Sequence, residues 1–142
     1  MKSRLVLAVA VGCLLAGCDS RSDPEKLQGD WQMREMWGWF KFDLPTVKGG
    51  PTVMSFNEEA FTFKNEEGPE HRVIGQFACD TTKSPKQITF KFEGRTVVGI
   101  YSVSGGTLRI CVDKDDKVPP GTFNGGPGER PALLMFDRQR TQ

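Results

Sequence analysis

The strongest constraint on the fold is the run from Gln87 to Val112, which predicts three consecutive β-strands joined by tight turns. Residues 87–93 alternate apolar and polar side chains, the pattern of a strand with one buried and one exposed face. Residues 96–104 are rich in β-branched side chains, and residues 107–112 alternate again. Because the connections are only two residues long and contain glycine, we expect three antiparallel neighbours.

Five more segments have strand patterns: 29–37, 52–56, 60–64, 71–79 and 132–138. No segment of useful length with helical periodicity follows the N-terminal region. Eight strands in chain order predict an all-β fold, a single eight-stranded antiparallel up-and-down β-barrel, because closure removes exposed sheet edges. An open or flattened β-sandwich is the alternative. A barrel of this size encloses room for side chains or for one small ligand.

The first residues have the features of a bacterial export signal. Lys2 and Arg4 precede an apolar run of 11 residues, which is too short for a transmembrane helix and typical of a signal peptide. Leu15-Ala16-Gly17-Cys18 then resembles the lipobox of bacterial lipoproteins. This resemblance implies removal of residues 1–17 and lipidation of Cys18, and an ordinary secretory signal is the alternative.

A lipidated Cys18 would make the membrane a partner, since each buried CH₂ of an acyl chain contributes about 0.8 kcal/mol. The lipoprotein resemblance also implies that Asp19 is a sorting residue. It favours a protein anchored to the periplasmic side of the inner membrane, and anchoring to the outer membrane is the alternative. We expect residues 18–26 to form a disordered, lipidated tether, and residues 27–142 to form the barrel domain.

Length and charge narrow the function further. The 142 residues suggest one domain. After removal of residues 1–17 the chain has 17 basic and 18 acidic residues, a net charge of about −1. Since no basic stripe is present, nucleic acid is not an expected partner.

The sequence contains no motif that indicates catalysis or a metal. His71 is the sole histidine, and the acidic run at 113–116 lacks the ligand spacing of a calcium loop. There is no Gly-x-Ser-x-Gly elbow for a nucleophile. We therefore expect no metal, no cofactor and no enzymatic activity, with a hydrolase that uses two carboxylates as the alternative.

Two cysteines remain after processing, Cys79 and Cys111, in an oxidising compartment. A disulfide between them would close a 33-residue loop and stabilise by about 3–4 kcal/mol in the chain-entropy model. However, the cysteines lie on the fourth and seventh predicted strands, which are not neighbours. The sequence leaves both the disulfide and the free thiols open.

An aromatic cluster follows the first strand and consists of Trp37, Trp39, Phe40 and Phe42. These side chains could fill one end of the core, or they could form a hydrophobic lip over a ligand cavity. Further along the chain, residues 113–131 have no strand pattern, which is typical of a functional or mobile loop or of a segment that crosses one end of the sheet.

Two resemblances to known families accompany the strand pattern. Gly29-x-Trp31 on the first strand, with Arg138 on the last, resembles the lipocalin arrangement. That resemblance implies that the Trp closes one end of the barrel, and that the basic residue lies across its face in a cation–π contact.

The second resemblance covers residues 27–138 and rests on four motifs: Leu27-Gln28-Gly29-Asp30-Trp31, Ser84-Pro85-Lys86-Gln87-Ile88, Gly99-Ile100-Tyr101 and Thr107-Leu108-Arg109-Ile110-Cys111. Together they resemble an uncharacterised domain family expanded in planctomycetes. The second motif is only partly kept, since Ser84 precedes Pro85 where the family pattern has lysine. The resemblance implies a lipocalin-like fold and an exported setting, and it implies no activity.

Two functional hypotheses follow. The first is a binding module for a small hydrophobic molecule or lipid, with the barrel interior as the pocket. The second is an envelope protein-protein interaction or structural domain with a fully packed barrel. The exposed-looking aromatic cluster favours the first, and large inward side chains such as Ile88, Phe90 and Phe92 favour the second. We favour the binding module.

Overall fold

The structure, a computed structural model, describes residues 20–37, 52–65, 72–113, 117–124 and 131–140. It contains one short helix and eight strands: α1 (Asp23–Leu27), β1 (Gly29–Trp37), β2 (Thr52–Asn57), β3 (Ala60–Asn65), β4 (Arg72–Asp80), β5 (Gln87–Phe92), β6 (Arg95–Ser104), β7 (Thr107–Val112) and β8 (Ala132–Arg138). All eight predicted strands are present, and each boundary agrees with the prediction to within one residue.

The strands form a closed barrel in which every strand is antiparallel to its neighbours in chain order. Closure is made by β1 and β8, which pair from Trp31 with Arg138 to Trp37 with Leu133 and shift register between Met33 and Glu35. The predicted eight-stranded up-and-down barrel is therefore confirmed, and the open or flattened alternative is wrong.

The alternating strand directions give the barrel two different ends. The end that we call the helix end carries α1 and the connections β2–β3, β4–β5 and β6–β7. At the opposite end, which we call the loop end, β1, β3, β5 and β7 end and β2, β4, β6 and β8 begin. A difference in side-chain packing between these two ends would determine where a ligand could enter the barrel.

The helix α1 corrects part of the expectation that residues 18–26 form a disordered tether, since residues 23–26 are helical. Ser22 precedes the helix, and its backbone N–H donates to Glu25 Oε2 at 2.7 Å, as in a capping box. Pro24 occupies the first turn, where a missing N–H costs nothing. Leu27 is fully buried, so this short helix is held by packing onto the barrel rather than by its own length.

Part of the connection between β7 and β8 lies against the outer wall of the barrel. The ring centroid of Phe123 lies 4.5 Å from the guanidinium carbon of Arg109. The Nε of Arg109 also donates a hydrogen bond to Ser102 Oγ. Ile100 and Cys111 point outward by strand alternation and yet are buried, as is Pro120. The segment 117–124 therefore contacts the outside of β7 through Phe123 instead of only crossing an end of the sheet.

Candidate functional site

The interior of the barrel consists of two halves that differ in packing. The half near the helix end is filled by large, buried side chains, and Phe56 and Phe77 meet there edge to face with ring centroids 4.8 Å apart. Its members are Leu27, Trp31, Phe56, Phe77, Ile88, Tyr101, Leu108 and Phe136. This half leaves little room for a ligand.

The other half contains a cavity of about 50 Å³. It is lined by Met54, Phe61, Phe63, Val73, Phe90, Phe92, Val97, Ile110, Val112 and Leu134. On the strands that run toward the helix end, such as β6, the lining Val97 comes before the packed Tyr101. On strands of the opposite direction, such as β7, the lining Ile110 comes after the packed Leu108. The cavity is therefore in the half of the barrel near the loop end.

One wall of the cavity is built from phenylalanine rings around a glycine. Phe61 meets Phe90 and Phe92 edge to face, with centroids 4.9 Å and 6.0 Å apart. Gly75 lies opposite Phe61 in the register of β3 and β4. A Cβ atom at Gly75 would lie 2.8 Å from Phe61 Cε1, so the missing side chain allows the ring to lie against β4.

The chemistry of this cavity is wholly apolar, since every lining residue that the structure describes has a hydrocarbon or thioether side chain. Its volume of about 50 Å³ exceeds the 10–15 Å³ or so that one water occupies and is about a third of the roughly 150 Å³ of an engineered cavity that binds benzene. A charged group would lose its hydration there without compensation. The cavity suits a narrow, uncharged, apolar group.

The helix end is closed by an ionic cluster around the buried side chain of Asp23, which is only 7% exposed. Lys86 Nζ donates to Asp23 Oδ2 at 2.8 Å, and Tyr101 Oη donates to the same oxygen at 2.7 Å. Burial by itself would raise the pKa of the Asp23 carboxyl, but the two hydrogen bonds and the charges of Lys86 and Lys26 outweigh it and lower the pKa. Asp23 therefore stays ionised and attaches α1 to β6.

The contact between Trp31 and Arg138 that the lipocalin resemblance implies is present at the same end. The guanidinium carbon of Arg138 lies 4.2 Å from the centroid of the Trp31 ring. Arg138 also donates to the carbonyl oxygens of Lys26 and Gln28, and Trp31 Nε1 donates to Leu27 O at 2.7 Å. These bonds satisfy carbonyl groups at the C-terminus of α1, which therefore closes the helix end.

Of the four aromatic residues that were predicted to bind a ligand, the structure describes one, Trp37. Trp37 ends β1 at the loop end, with 49% of its side chain exposed, and its Nε1 donates to Glu35 Oε2 at 3.1 Å. It does not line the cavity. Trp39, Phe40 and Phe42 lie outside the described residues, as do the predicted lipidation residue Cys18 and the sorting residue Asp19.

The two cysteines are free thiols, so the disulfide that the sequence left open is absent. Alternation places Cys79 on the inner face of β4, with Phe77, and Cys111 on the outer face of β7. Side chains on opposite faces of the barrel wall cannot meet. Burial raises the pKa of Cys79 and raises that of Cys111 to about 11, which keeps both thiols protonated at neutral pH.

The cluster at the helix end was not predicted from the sequence, because its members are far apart in the chain. Lys86 and Tyr101 follow Asp23 by 63 and 78 positions, and no local motif links them. Some of the residues that line the cavity could be predicted from the sequence. Phe90 and Phe92 were identified as inward-facing, whereas the difference between the two halves depends on all eight strands together.

Comparisons with family models, curated proteins and solved structures gave no match to this chain. Across the described ranges, no group of three or more His, Cys, Asp or Glu side chains could hold a metal ion. In the same part of the chain, no helix is long and apolar enough to cross a membrane.

Proposed function

We propose that this protein is a non-catalytic binding module that holds a small hydrophobic molecule, or the narrow end of a lipid, at the loop end of its barrel. The observation that carries this proposal is the asymmetry of the interior, with one half filled and the other lined only by apolar side chains around a cavity. An empty cavity of about 50 Å³ costs roughly 1 kcal/mol of stability. A bound apolar group would recover that loss.

The size of the cavity limits what enters. A group of a few carbon atoms fits, and a longer chain would extend beyond the cavity toward the loop end. Because no charged side chain lines the cavity, a charged head group would have to remain outside it. The proposed ligand is thus narrow and apolar at the end that enters first.

We also propose that the protein is an exported lipoprotein anchored through Cys18 on the periplasmic side of the membrane. Asp23 follows Cys18 by five positions, and an extended chain over five positions spans at most about 18 Å. Asp23 is held at the helix end by Lys86 and Tyr101. An anchor at Cys18 would thus keep the helix end near the membrane and leave the loop end, with the cavity, on the distal side.

This arrangement favours exchange of the ligand with the periplasm over direct entry from the anchoring bilayer. Lipidation itself is tested by the mass of the mature protein isolated from membranes. We expect a protein that begins at Cys18 and carries acyl chains. Release of a protein without acyl chains would contradict the anchor.

Ligand binding is tested by native mass spectrometry on a soluble protein that begins at Asp19 and is expressed into an oxidising periplasm. We expect an adduct that dissociates on denaturation. Val97→Leu, which adds a methylene to the cavity lining, should reduce the adduct. Val103→Leu is the matched control, because Val103 lies on the same strand and packs on the filled half. A bare protein mass for the wild type would contradict the proposal.

The second candidate is an envelope protein-protein interaction module. It is favoured by the exposed side chains of Met36 and Trp37, which are adjacent at the loop end of β1. Large exposed apolar side chains are typical of interaction sites when they form part of a larger patch. If the wild type carries no adduct, this candidate replaces the binding module.

A further inference from the structure

Thr52 has a buried hydroxyl without a hydrogen-bond partner. It is the first residue of β2, at the loop end, and is only 2% exposed. Among the buried side-chain polar atoms of the described residues, Thr52 Oγ1 is the one that accepts and donates no hydrogen bond. Buried hydroxyl groups in folded proteins are nearly always partnered, by protein or by a bound molecule, so this atom requires an explanation.

The position of Thr52 relates it to the cavity. Side chains alternate along a strand, so Thr52 lies on the same face of β2 as Met54, which lines the cavity, and Phe56, which packs in the filled half. Residues two apart on a strand are separated by about 6.5 Å. The unpartnered hydroxyl is therefore one step further toward the loop end than the apolar lining.

We propose that the Thr52 hydroxyl hydrogen-bonds the polar group of an uncharged amphiphile, such as an alcohol or an ester, whose apolar end occupies the cavity. This inference rests on the proposed function and specifies its ligand class. A hydroxyl can donate or accept, so it pairs with either group. It carries no charge to balance an ionised carboxylate, and the lining offers none, so a neutral ligand is preferred over a fatty-acid anion.

The test compares two probes of the same chain length, 1-hexanol and hexane, on the wild type and on Thr52→Val. Valine has nearly the shape of threonine and lacks the hydroxyl. We expect Thr52→Val to weaken 1-hexanol binding about fivefold, the usual effect of one hydrogen bond, and to change hexane binding by less than about twofold. Binding is measured by titration of the methyl NMR signals of the cavity residues.

Two further variants serve as controls. Thr52→Ser keeps the hydroxyl and should bind 1-hexanol as the wild type does. Thr62→Val makes the same chemical change on the outer face of β3, where the side chain is only partly buried, and should change neither affinity.

The outcomes separate this inference from the proposed function. Equal effects of Thr52→Val on the two probes, or no effect on either, would overturn the role of Thr52 and leave the cavity as a binding site. If neither probe binds the wild type, the proposed function fails, and the ligand class fails with it. If 1-hexanol binding is lost in Thr52→Ser as well, the effect is one of packing and the hydrogen bond is contradicted.

Discussion

Asp23 shows how a single residue can determine one end of this barrel. It belongs to a polar segment that the sequence predicts to be a tether. Its carboxylate is nevertheless buried and accepts hydrogen bonds from Lys86 and Tyr101. A buried carboxylate is tolerated only when such donors replace its hydration. Burial and the hydrogen bond with Asp23 in turn raise the pKa of Tyr101, which keeps its hydroxyl protonated as a donor.

The pKa of Asp23 makes the stability of the protein dependent on pH in a defined direction. Because the carboxyl pKa is lowered in the folded protein from its usual 3.8, the unfolded chain binds the proton more tightly. The stabilisation is therefore complete above about pH 4–5 and is lost as pH falls through the folded pKa. We expect Asp23→Asn to lower the free energy of unfolding by about 1–3 kcal/mol at pH 7, and by less at pH 2.

Urea unfolding of the wild type and Asp23→Asn at pH 7, 4 and 2 measures this difference. Asp30→Asn is the control, since Asp30 is exposed on β1 and its replacement should change the unfolding free energy by less than about 0.5 kcal/mol. A loss in Asp23→Asn that is the same at all three pH values would show that the carboxylate charge does not contribute.

At the scale of the elements, the strands were predictable and the helix was not. In a strand such as residues 87–92, apolar and polar side chains alternate and so mark the inner and outer faces. This local pattern is sufficient to predict the eight strands from the sequence. A helix as short as α1 has no periodic pattern to detect. It forms because Leu27 is buried and because Arg138, more than 100 positions away in the chain, binds the carbonyl groups of Lys26 and Gln28.

Arg138 is expected to contribute strongly to the closure of the helix end. Arg138→Gln removes the cation–π contact with Trp31 and the charge-assisted bonds to the carbonyl groups of Lys26 and Gln28. We expect a loss of about 2–3 kcal/mol in the free energy of unfolding, measured by chemical denaturation. Arg140→Gln, an exposed change two residues later, is the control. If both variants unfold at the same denaturant concentration, Arg138 does not hold α1.

The glycines of the barrel provide a second test at this scale. Gly75→Ala would place a Cβ atom 2.2 Å from Lys91 O and 2.8 Å from Phe61 and Phe92. Because the backbone cannot move away at low energetic cost, we expect the free energy of unfolding to fall by about 1–3 kcal/mol or more. Gly106→Ala is the matched control, because a Cβ atom there meets nothing within 4 Å. Thermal and urea unfolding of the two variants should differ clearly, and similar stabilities would contradict the close packing at Gly75.

For the whole molecule, the important feature is the difference between the two ends. The sequence predicts a closed barrel and inward-facing side chains such as Phe90 and Phe92, and the structure confirms them. It does not predict which half is filled, because that depends on barrel stagger and on how Trp31, Tyr101 and Phe136 from distant strands meet. The cavity is a property of all eight strands and has no signature in any one of them.

The predicted ligand residues differ from the cavity lining for a related physical reason. An aromatic cluster such as Trp37 and its neighbours is conspicuous in a sequence, but in the structure Trp37 is on the surface. The lining residues are ordinary alternating strand positions such as Val97 and Ile110. Nothing in their local sequence separates them from equally apolar positions in the filled half.

The most direct test of the central claim is a methyl NMR titration of the protein with 1-hexanol. Methyl groups are available in both halves of the interior. Val97, Ile110, Val112 and Leu134 line the cavity, whereas Leu27, Ile88 and Leu108 belong to the filled half. We predict saturable shifts of the first group and much smaller shifts of the second. Shifts spread evenly over both groups, or no saturable shift at all, would contradict a binding cavity at the loop end.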